Sequence, residues 1–352
     1  PLFSAIPEKF HGMGIDHFVL DEAEITLPIF LDDIQKDEGK LMYRSSERPD
    51  LTNTPIPMWS LIDFDNYYSA LVQFSRGCPF NCEFCSIIVM NGRVPRTKTP
   101  NQIIKELQAI YDQGYEGMVF FVDDNFIGNA KKTKVVLSEI IKWQQAHDYP
   151  FYFFTESSIN LVQDEELMQL MSDAYFRNIF IGIETPEIES LEACGKHQNL
   201  KIDLVKSIKK IHSYGMQVMG GFILGFDTDS DSVFENMIGY IQETGIVTAM
   251  VGLLNAIPGT RLHDRMREDG RLLKESTGEN TDAVTNILPM MGMEKLVNGY
   301  LHVLKTIYDP KNYYERIYTL LEDLKPNQTV IQWRRQGQKK DKERKKLNVY
   351  KE

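Results

Sequence analysis

Short apolar runs alternate with amphipathic segments between about residues 66 and 269. The runs lie at 68–74, 117–122, 151–155, 178–183, 217–224 and 248–254. Each is a nearly continuous stretch of apolar residues, as expected for parallel strands buried on both faces. Six consecutive βα units without a Gly-rich dinucleotide turn after the first strand predict an α/β fold, a partial (β/α)6 barrel of the TIM type.

The segments between the runs carry helix start signals. Thr99, followed by Pro100 and Gln102, predicts a capped helix whose apolar face includes Ile103 and Leu107. Thr185 and Pro186 repeat the arrangement after the fourth run, which predicts a second helix start of the same kind.

The sequence on either side of the barrel follows other patterns. Residues 15–20 are predicted to form one strand and residues 22–34 one helix, too little to bury a core of their own. After about residue 275 two longer helices are predicted, the second beginning at Asp309 and Pro310. Three domains are therefore expected: a short N-terminal βα unit (1–45), the barrel (46–274) and a helical C-terminal domain with a basic tail (275–352).

Composition and charge narrow the function. The 352 residues are 42% hydrophobic and 25% charged, which is typical of a folded globular protein. A net charge of −11 argues against a nucleic-acid partner, because a phosphate backbone would be repelled. Residues 333–352 hold nine basic and three acidic side chains, a local +6 that leaves −17 elsewhere. Such a lysine-rich end is most often a solvated terminus.

Cysteine usage and hydropathy bear on location. Four cysteines, three of them crowded, cannot form paired disulfides, and free thiols of this kind indicate a reducing, cytoplasmic compartment. No apolar stretch approaches the ~20 residues that span a bilayer, so no transmembrane segment is expected. No signal peptide is expected either, and the missing initiator Met suggests a fragment or a trimmed chain.

Three cysteines, Cys78, Cys82 and Cys85, lie within eight residues of one loop. Three thiolates on one short loop can hold three irons of a [4Fe-4S] cluster and leave the fourth iron open to a small molecule. A zinc site is an alternative, with Cys194 as its fourth ligand, and inert packing is another. Cys194 itself lies beside Gly195 at a predicted helix end and is more often structural, and no role is assigned to any histidine.

Polar residues cluster at the ends of the later runs, where barrel enzymes place their active sites. The candidates are Asp123, Asp124, Asn125, Thr155, Glu156, Ser157 and Glu184. A buried carboxylate needs donors, which a ligand's hydroxyl groups can supply. Helix caps and ordinary turns are the structural alternatives for these positions.

The cysteine spacing C-x3-C-x2-C resembles the cluster loop of radical S-adenosylmethionine (SAM) enzymes. The resemblance implies a [4Fe-4S] cluster, SAM bound at the open iron, cleavage to a 5'-deoxyadenosyl radical, and an external one-electron reductant of the ferredoxin or flavodoxin type. It implies that Phe84 lies near adenine and that one of Asp123, Asp124 and Asn125 binds the methionine amino group, although the usual Gly-Gly-Glu is absent.

The resemblance also extends to the other candidates. Thr155, Glu156 and Glu184 would contact the ribose or the methionyl end of SAM. The stretch Gly221-Phe222-Ile223-Leu224-Gly225 is similar to the family's G-x-I-x-G adenine motif, in which a missing side chain lets the backbone approach the ring. Pro258 would lie in the adenine-side loop after the sixth strand.

Longer stretches resemble the cobalamin-binding-type branch of this superfamily, which includes hopanoid C-2 methylases and has a helical C-terminal domain. They are 75–85, 96–100, 122–129, 219–222 and 276–282. The branch implies methylation of an unactivated carbon, on a lipid-like or other small-molecule substrate. Only the first 45 residues would correspond to its cobalamin domain, no His follows Asp at the D-x-H spacing, and Ser86 stands where Asp is expected.

Two other functions stay open at this stage. One is a cobalamin-independent radical SAM enzyme that performs cyclisation, coupling or rearrangement. The other is a cluster-bearing electron carrier or sensor that never cleaves SAM. Polar residues at five strand ends argue against the electron carrier, which has no reason to gather them.

Overall fold

A computed structural model describes residues 14–276 and 284–337 of the chain. The stretch 277–282, which contributed to the family resemblance, and most of the basic tail lie outside the described residues. The strands are β1 (Phe18–Val19), β2 (Met42–Tyr43), β3 (Ala70–Val72), β4 (Ser75–Arg76), β5 (Arg96–Thr97), β6 (Gly117–Phe121), β7 (Phe151–Ser157), β8 (Phe176–Glu184), β9 (Gln217–Leu224) and β10 (Ala249–Leu253).

The helices follow in the same numbering. They are α1 (Ala23–Gln35), α2 (Ile87–Met90), α3 (Pro100–Tyr111), α4 (Ala130–Ala146), α5 (Glu165–Ala174), α6 (Ile188–Ala193), α7 (Leu204–Ser213), α8 (Val233–Thr244), α9 (Arg261–Glu268), α10 (Met293–Ile307) and α11 (Pro310–Asp323). Residues 328–337 are also helical. No helix of the described residues is both long enough and apolar enough to cross a bilayer.

Six strands form one parallel sheet in the order β3-β6-β7-β8-β9-β10. Each βα crossover therefore moves one strand in the same direction, which is the connectivity of a barrel and not of a doubly wound sheet. The predicted partial barrel is confirmed. The first strand is shorter than predicted, because only Ala70–Val72 pairs with β6, and β8 is longer at both ends.

The outer face of the sheet carries the core. Side chains such as Val119, Phe121, Phe153 and Ile179 are fully buried beneath the surrounding helices. The C-terminal helices join this layer: α10 and α11 pack against α8, and the buried residues of α10 belong to the same core cluster as the sheet. The helical pair thus continues the outer layer of the barrel.

The helix start at Thr99 has the predicted chemistry. The Thr99 hydroxyl accepts a hydrogen bond from Gln102 N, while Gln102 Oε1 accepts one from Thr99 N, a complete capping box. The parallel expectation for Thr185 is wrong, because α6 begins after Glu187. The Thr185 hydroxyl instead accepts a hydrogen bond from Glu187 N within the turn.

The N-terminal unit has one more strand than the sequence pattern indicated. β1 and β2 pair in parallel on either side of α1, with Phe18 opposite Met42. Two-residue strands are too short to show periodicity, so β2 left no signal in the sequence. The start of α1 is tied to the barrel, because Arg76 and Arg96 both bind the buried carboxylate of Glu22.

Burial of His212 predicts a stability that depends on pH. The ring is fully buried in α7, both of its nitrogens are without a hydrogen-bond partner in the described residues, and burial lowers its pKa to about 4 despite the nearby Asp323 carboxylate. The unfolded chain takes up the proton near the ordinary value of 6.5, so stability is complete above that pH and falls as the pH drops toward 4. The free energy of unfolding falls by about 3 kcal/mol at most through this group.

Chemical denaturation at pH 7.5 and pH 5 measures this loss. A His212→Leu variant is expected to lose about 2 kcal/mol less than the wild type between these pH values. His302→Gln, a change at a half-exposed position, controls for the removal of a histidine. Equal pH dependence in the wild type and His212→Leu would contradict the assignment.

Candidate cluster and cofactor site

The loop from Gly77 to Cys85 follows β4 and is held on its first side by residues after β6. Asp123 is fully buried, and its carboxylate accepts hydrogen bonds from Phe74 N (3.1 Å), Ser75 N and the Ser75 hydroxyl (2.5 Å). Burial raises the pKa of Asp123 to about 7, and these hydrogen bonds oppose that rise. Asp123 therefore fastens the chain entering the cysteine loop, and its donors come from the protein.

The next two residues reach the loop itself. Asp124 accepts hydrogen bonds from Gly77 N (2.8 Å) and Asn91 Nδ2 (2.9 Å) through one carboxylate oxygen. The amide of Asn125 is buried, pairs with the Ser158 hydroxyl (3.0 Å), and lies 3.8 Å from Cys78 Sγ. These contacts bring the predicted Asp124 and Asn125 to the first cysteine.

The other side of the loop rests on the segment after α6 and on the start of α9. Glu83 N donates to Cys194 O (2.8 Å), Leu262 N donates to Glu83 O (3.2 Å), and Arg261 donates to Asn81 O (2.5 Å). Gly195 has φ of 75°, and a Cβ there would lie 3.0 Å from Asn81 O. The close approach of the two backbones therefore requires glycine.

A buried ion pair lies beside the second cysteine. Lys196 Nζ binds Glu184 Oε1, and both side chains are about one-tenth exposed. Burial lowers the pKa of Lys196, but attraction by Glu184 and Cys82 outweighs burial and raises it. The ion pair packs against Gly182. A Cβ atom added to this glycine would lie 2.7 Å from Lys196 Nζ, so the site has no room for a side chain there. Gln198 adds a donor, with Nε2 at 3.9 Å from Cys82 Sγ.

Two of the three thiols lie in a low-dielectric environment. Burial raises the pKa of Cys82, and it raises the pKa of Cys85 to about 11. A metal or another positive group is therefore needed to hold them as thiolates. In the described residues no three Cys, His, Asp or Glu side chains converge on one ion, as zinc ligands would. A cubane differs in this respect, because each thiolate binds a different iron.

A cavity of about 350 Å³ opens beside the loop. Its walls include Phe84, Cys194, Phe226 and Leu254, and the rings of Phe84 and Phe226 are 6.1 Å apart. Arg265 closes one side, bound to the carboxylates of Glu83 (2.7 Å) and Asp227 (2.6 Å). Burial raises the pKa of the Cys194 thiol in this wall to about 12. The cavity is apolar at its walls and charged at its rim.

Other predicted residues lie elsewhere. The Thr155 hydroxyl is fully buried on the outer face of the sheet and donates to Phe121 O (3.0 Å), so the structure does not bring it to the site. The carboxyl group of Glu156 lies on the opposite, inner face. Ser157 is buried on the same face as Thr155, with its hydroxyl bonded to Ser158 O.

The glycine motif has a structural explanation in this fold. A Cβ at Gly221 would lie 2.8 Å from the Phe180 ring, so the missing side chain makes room for that ring. Gly225 has φ of 105°, and its N–H donates to Asp229 Oδ2 (2.8 Å). Ile223 packs with the cluster that contains Phe226 and Cys194. Pro258 is buried in the turn before α9, while Leu254 lines the cavity.

Sequence reasoning missed Lys196, Gln198 and Arg265. They come from segments more than 100 residues from the cysteines, and nothing local distinguishes them from surface residues. One signal was available. Lys196 follows Cys194, at the predicted end of a helix, by two residues. It therefore lies on the same edge of the barrel as Glu184, and an ion pair between the two could have been expected.

Comparison with known proteins gives the family. The model of the radical SAM superfamily matches residues 72–241, and that of a domain of unknown function (DUF4070) matches residues 260–349. An uncharacterized methyltransferase of Synechocystis sp. is 44% identical over 90% of this chain and 60% of its own length. The hopanoid C-2 methylase of Rhodopseudomonas palustris is 33% identical over 88% of this chain and 58% of its own. The chain thus spans about three-fifths of these curated relatives.

The fold comparison agrees. The structure of the radical SAM methyltransferase TsrM from Kitasatospora setae, with tryptophan and a SAM analogue bound, superimposes with a TM-score of 0.61 at 13% identity. It covers 92% of this chain and 70% of TsrM. The predicted resemblance is confirmed: residues 72–241 match the radical SAM superfamily, and two relatives that align with about nine-tenths of the chain are named as a methyltransferase and a methylase.

Proposed function

We propose that the chain is the catalytic part of a radical SAM enzyme that binds a [4Fe-4S] cluster through Cys78, Cys82 and Cys85. The observation that carries the proposal is the environment of these thiols. Cys78 and Cys82 each face a side-chain amide donor, Asn125 and Gln198, and the buried cation Lys196 lies beside Cys82. N–H donors and a cation stabilise sulfur ligands that carry negative charge.

A cluster held by Cys78, Cys82 and Cys85 would supply the one-electron reduction by which SAM is cleaved to methionine and a 5'-deoxyadenosyl radical. The residues of this chain would hold and shield the reactants. The cavity beside Phe84 and Leu254 is large enough for a planar base, and its apolar walls exclude water from it. The ion pair of Glu184 and Lys196 supplies an acceptor and a donor for the ribose and methionyl ends of SAM.

We infer that the reaction is transfer of a methyl group to an unactivated carbon of a small-molecule or lipid-like substrate. The inference rests on relatives named as methyltransferases, two of them a hopanoid C-2 methylase and a bacteriochlorophyllide d C-8(2)-methyltransferase. A one-electron reductant must act from outside the chain. A cytoplasmic location follows from the need to keep the thiols reduced.

We further propose that residues 1–45 are the end of a cobalamin-binding-like domain, residues 46–274 the radical SAM barrel and residues 275–352 a helical domain. The parallel β1-α1-β2 unit supports the first assignment. So does the exposure of Leu27, Leu31 and Ile34, which form one apolar stripe on α1 that a larger domain would cover. The described residues of this unit cannot enclose a corrin, so no step is assigned to cobalamin here.

Replacement of one cysteine tests the cluster assignment. Cys82→Ala should lose the visible absorbance of the reconstituted protein, bind fewer than the four irons of a complete cluster, and form no 5'-deoxyadenosine from SAM under a strong reductant. Cys194→Ala is the matched control, because Cys194 is a buried thiol beside the same loop that the proposal leaves out of the cluster. Equal iron loss in both variants would disprove the assignment.

The same assay separates the competing functions. A protein that takes up the cluster but forms no 5'-deoxyadenosine would be an electron carrier or sensor. Formation of 5'-deoxyadenosine with no response to added cobalamin, in a protein that includes any sequence encoded upstream of this chain, would favour cyclisation, coupling or rearrangement by the radical alone.

The positive charge of Lys196 yields a second prediction. Lys196→Met should make the reduction potential of the cluster more negative by on the order of 50–100 mV, because a cation beside a cluster ligand favours the more negative, reduced state. Lys196→Arg keeps the charge and should stay near the wild-type potential. Redox titration followed by electron paramagnetic resonance measures both, and an unchanged potential in Lys196→Met would refute the role.

A further inference from the structure

The inner face of the sheet is lined by apolar side chains that the described residues leave partly exposed. Strand alternation and register place six of them there: Met118, Phe120, Tyr152, Phe154, Phe180 and Met219. All six are partly exposed, whereas the intervening residues on the outer face are fully buried. At the two edges of the sheet Leu71 and Met250 are about half exposed. The lumen of the partial barrel is therefore an open apolar surface.

The middle of this surface is aromatic. Phe120 and Phe154 are register partners on β6 and β7, and their rings stack with centroids 4.4 Å apart at 20°. One level closer to the cysteine loop, the Phe180 ring lies over Gly221. Because the two stacked rings cover each other's faces, they present their edges to the lumen, and a rigid ring system can pack on those edges in an edge-to-face arrangement with little loss of side-chain freedom. Asn178 and Gln217 are the polar neighbours in the Phe154 row.

Two arginine side chains cover the inner face of the sheet at the amino-terminal end of the strands. The guanidinium groups of Arg177 and Arg334 both lie over the Tyr152 ring, at 5.1 Å and 5.8 Å from its centroid. Arg334 comes from the helical segment 328–337, which crosses this end of the sheet. A ligand in the lumen is thereby directed toward the carboxyl end of the strands, where the cysteine loop lies.

Glu156 is the acidic group of this surface. It follows Phe154 by two residues on β7 and is the register partner of Phe180. Its carboxyl group has no hydrogen bond or ion pair with any of the described residues, and burial together with the Asp124 carboxylate raises its pKa to about 7. A partly buried carboxyl group without a protein partner is a group that a ligand's hydroxyl or amine can satisfy.

We propose that the lumen binds a rigid, ring-containing apolar substrate against the stacked Phe120 and Phe154, and that Glu156 hydrogen-bonds the substrate's polar substituent. The proposal rests on the proposed function, since it places the substrate on the same barrel edge as the radical source. A flexible hydrocarbon chain would not need the aligned rings, and a substrate charged at positions other than the one facing Glu156 would leave those charges unpaired among Phe and Met side chains.

Binding of pyrene and 1-pyrenemethanol to the cluster-loaded full chain tests the apolar surface. Equilibrium dialysis under anaerobic conditions measures both. Met250→Glu puts a charge on the inner face at a half-exposed position of the edge strand, where it leaves the core intact. It should weaken both affinities at least tenfold, as should Phe154→Ala. Leu321→Glu, the same kind of change on the exposed face of α11, should leave both unchanged.

The hydrogen bond proposed for Glu156 is tested by the difference in affinity between 1-pyrenemethanol, which has a hydroxyl group, and pyrene, which has none. The wild type should bind 1-pyrenemethanol more tightly than pyrene by on the order of fivefold, the worth of one hydrogen bond. Glu156→Ala should remove this preference while its affinity for pyrene stays within twofold. A preference that survives in Glu156→Ala would show that the hydroxyl binds elsewhere.

The assay is independent of the radical chemistry. If the chain forms 5'-deoxyadenosine from SAM but binds neither probe, or if Leu321→Glu weakens binding as much as Met250→Glu, the substrate proposal fails and the proposed function stands. If the probes bind as expected but no 5'-deoxyadenosine forms under strong reductant, the proposed function fails and the lumen remains an apolar binding site.

Discussion

The buried carboxylate of Asp123 is the contact on which the site depends. It accepts hydrogen bonds from two backbone N–H groups and one hydroxyl where the chain passes from β3 into β4, directly before the cysteine loop. A carboxylate that is fully buried has to find several donors in the protein, and here those donors belong to the very segment that must be positioned. The end of β6 is thereby joined to the beginning of the loop, and Asp124 extends the connection to Gly77.

Charge balance around the cysteines follows from this arrangement. The loop lies among the carboxylates of Asp123, Asp124, Glu83 and Glu184, and three thiolates would add further negative charge. Lys196 and Arg265 offset part of it, each bound to a carboxylate next to the loop. Burial makes the pair of Lys196 and Glu184 costly to break singly, because the remaining partner would be an uncompensated charge. The site is therefore organised around a cationic metal centre and cationic ligand that the protein alone does not supply.

The same logic links the N-terminal unit to the barrel. Glu22 is buried at the start of α1 and binds both Arg76 and Arg96, which flank the cysteine loop on β4 and β5. Glu24 adds a second carboxylate to Arg76. Hydrogen bonds and charge at this junction hold α1 against the strands that carry the loop, although most of the helix surface is exposed. A structural change in the N-terminal unit would therefore reach the cysteines through two arginine side chains.

Much of the fold could be predicted because its signals are local. Continuous apolar runs mark the strands of a parallel sheet, and six of them without a dinucleotide turn predicted the partial barrel and its chain order. The expected burial on both faces was wrong for the inner face, which is partly exposed in the described residues because the barrel is open on that side. The cysteine spacing likewise predicted the loop, since three thiols within eight residues are close whatever the fold. The capping box at Thr99 formed as predicted because all its atoms come from four consecutive residues.

What the tertiary structure decided is which side chains face one another. Strand alternation sends Thr155 to the outer face and Glu156 to the lumen, although both follow the same run. Asp123, Asp124 and Asn125 were equivalent candidates in the sequence, yet the fold gives each a different partner. Lys196 reaches Cys82 only because parallel strands bring their carboxyl ends to one edge. By itself the sequence determined the elements, their order and the cysteine loop; the long-range pairing of side chains arises from packing, which no local pattern encodes.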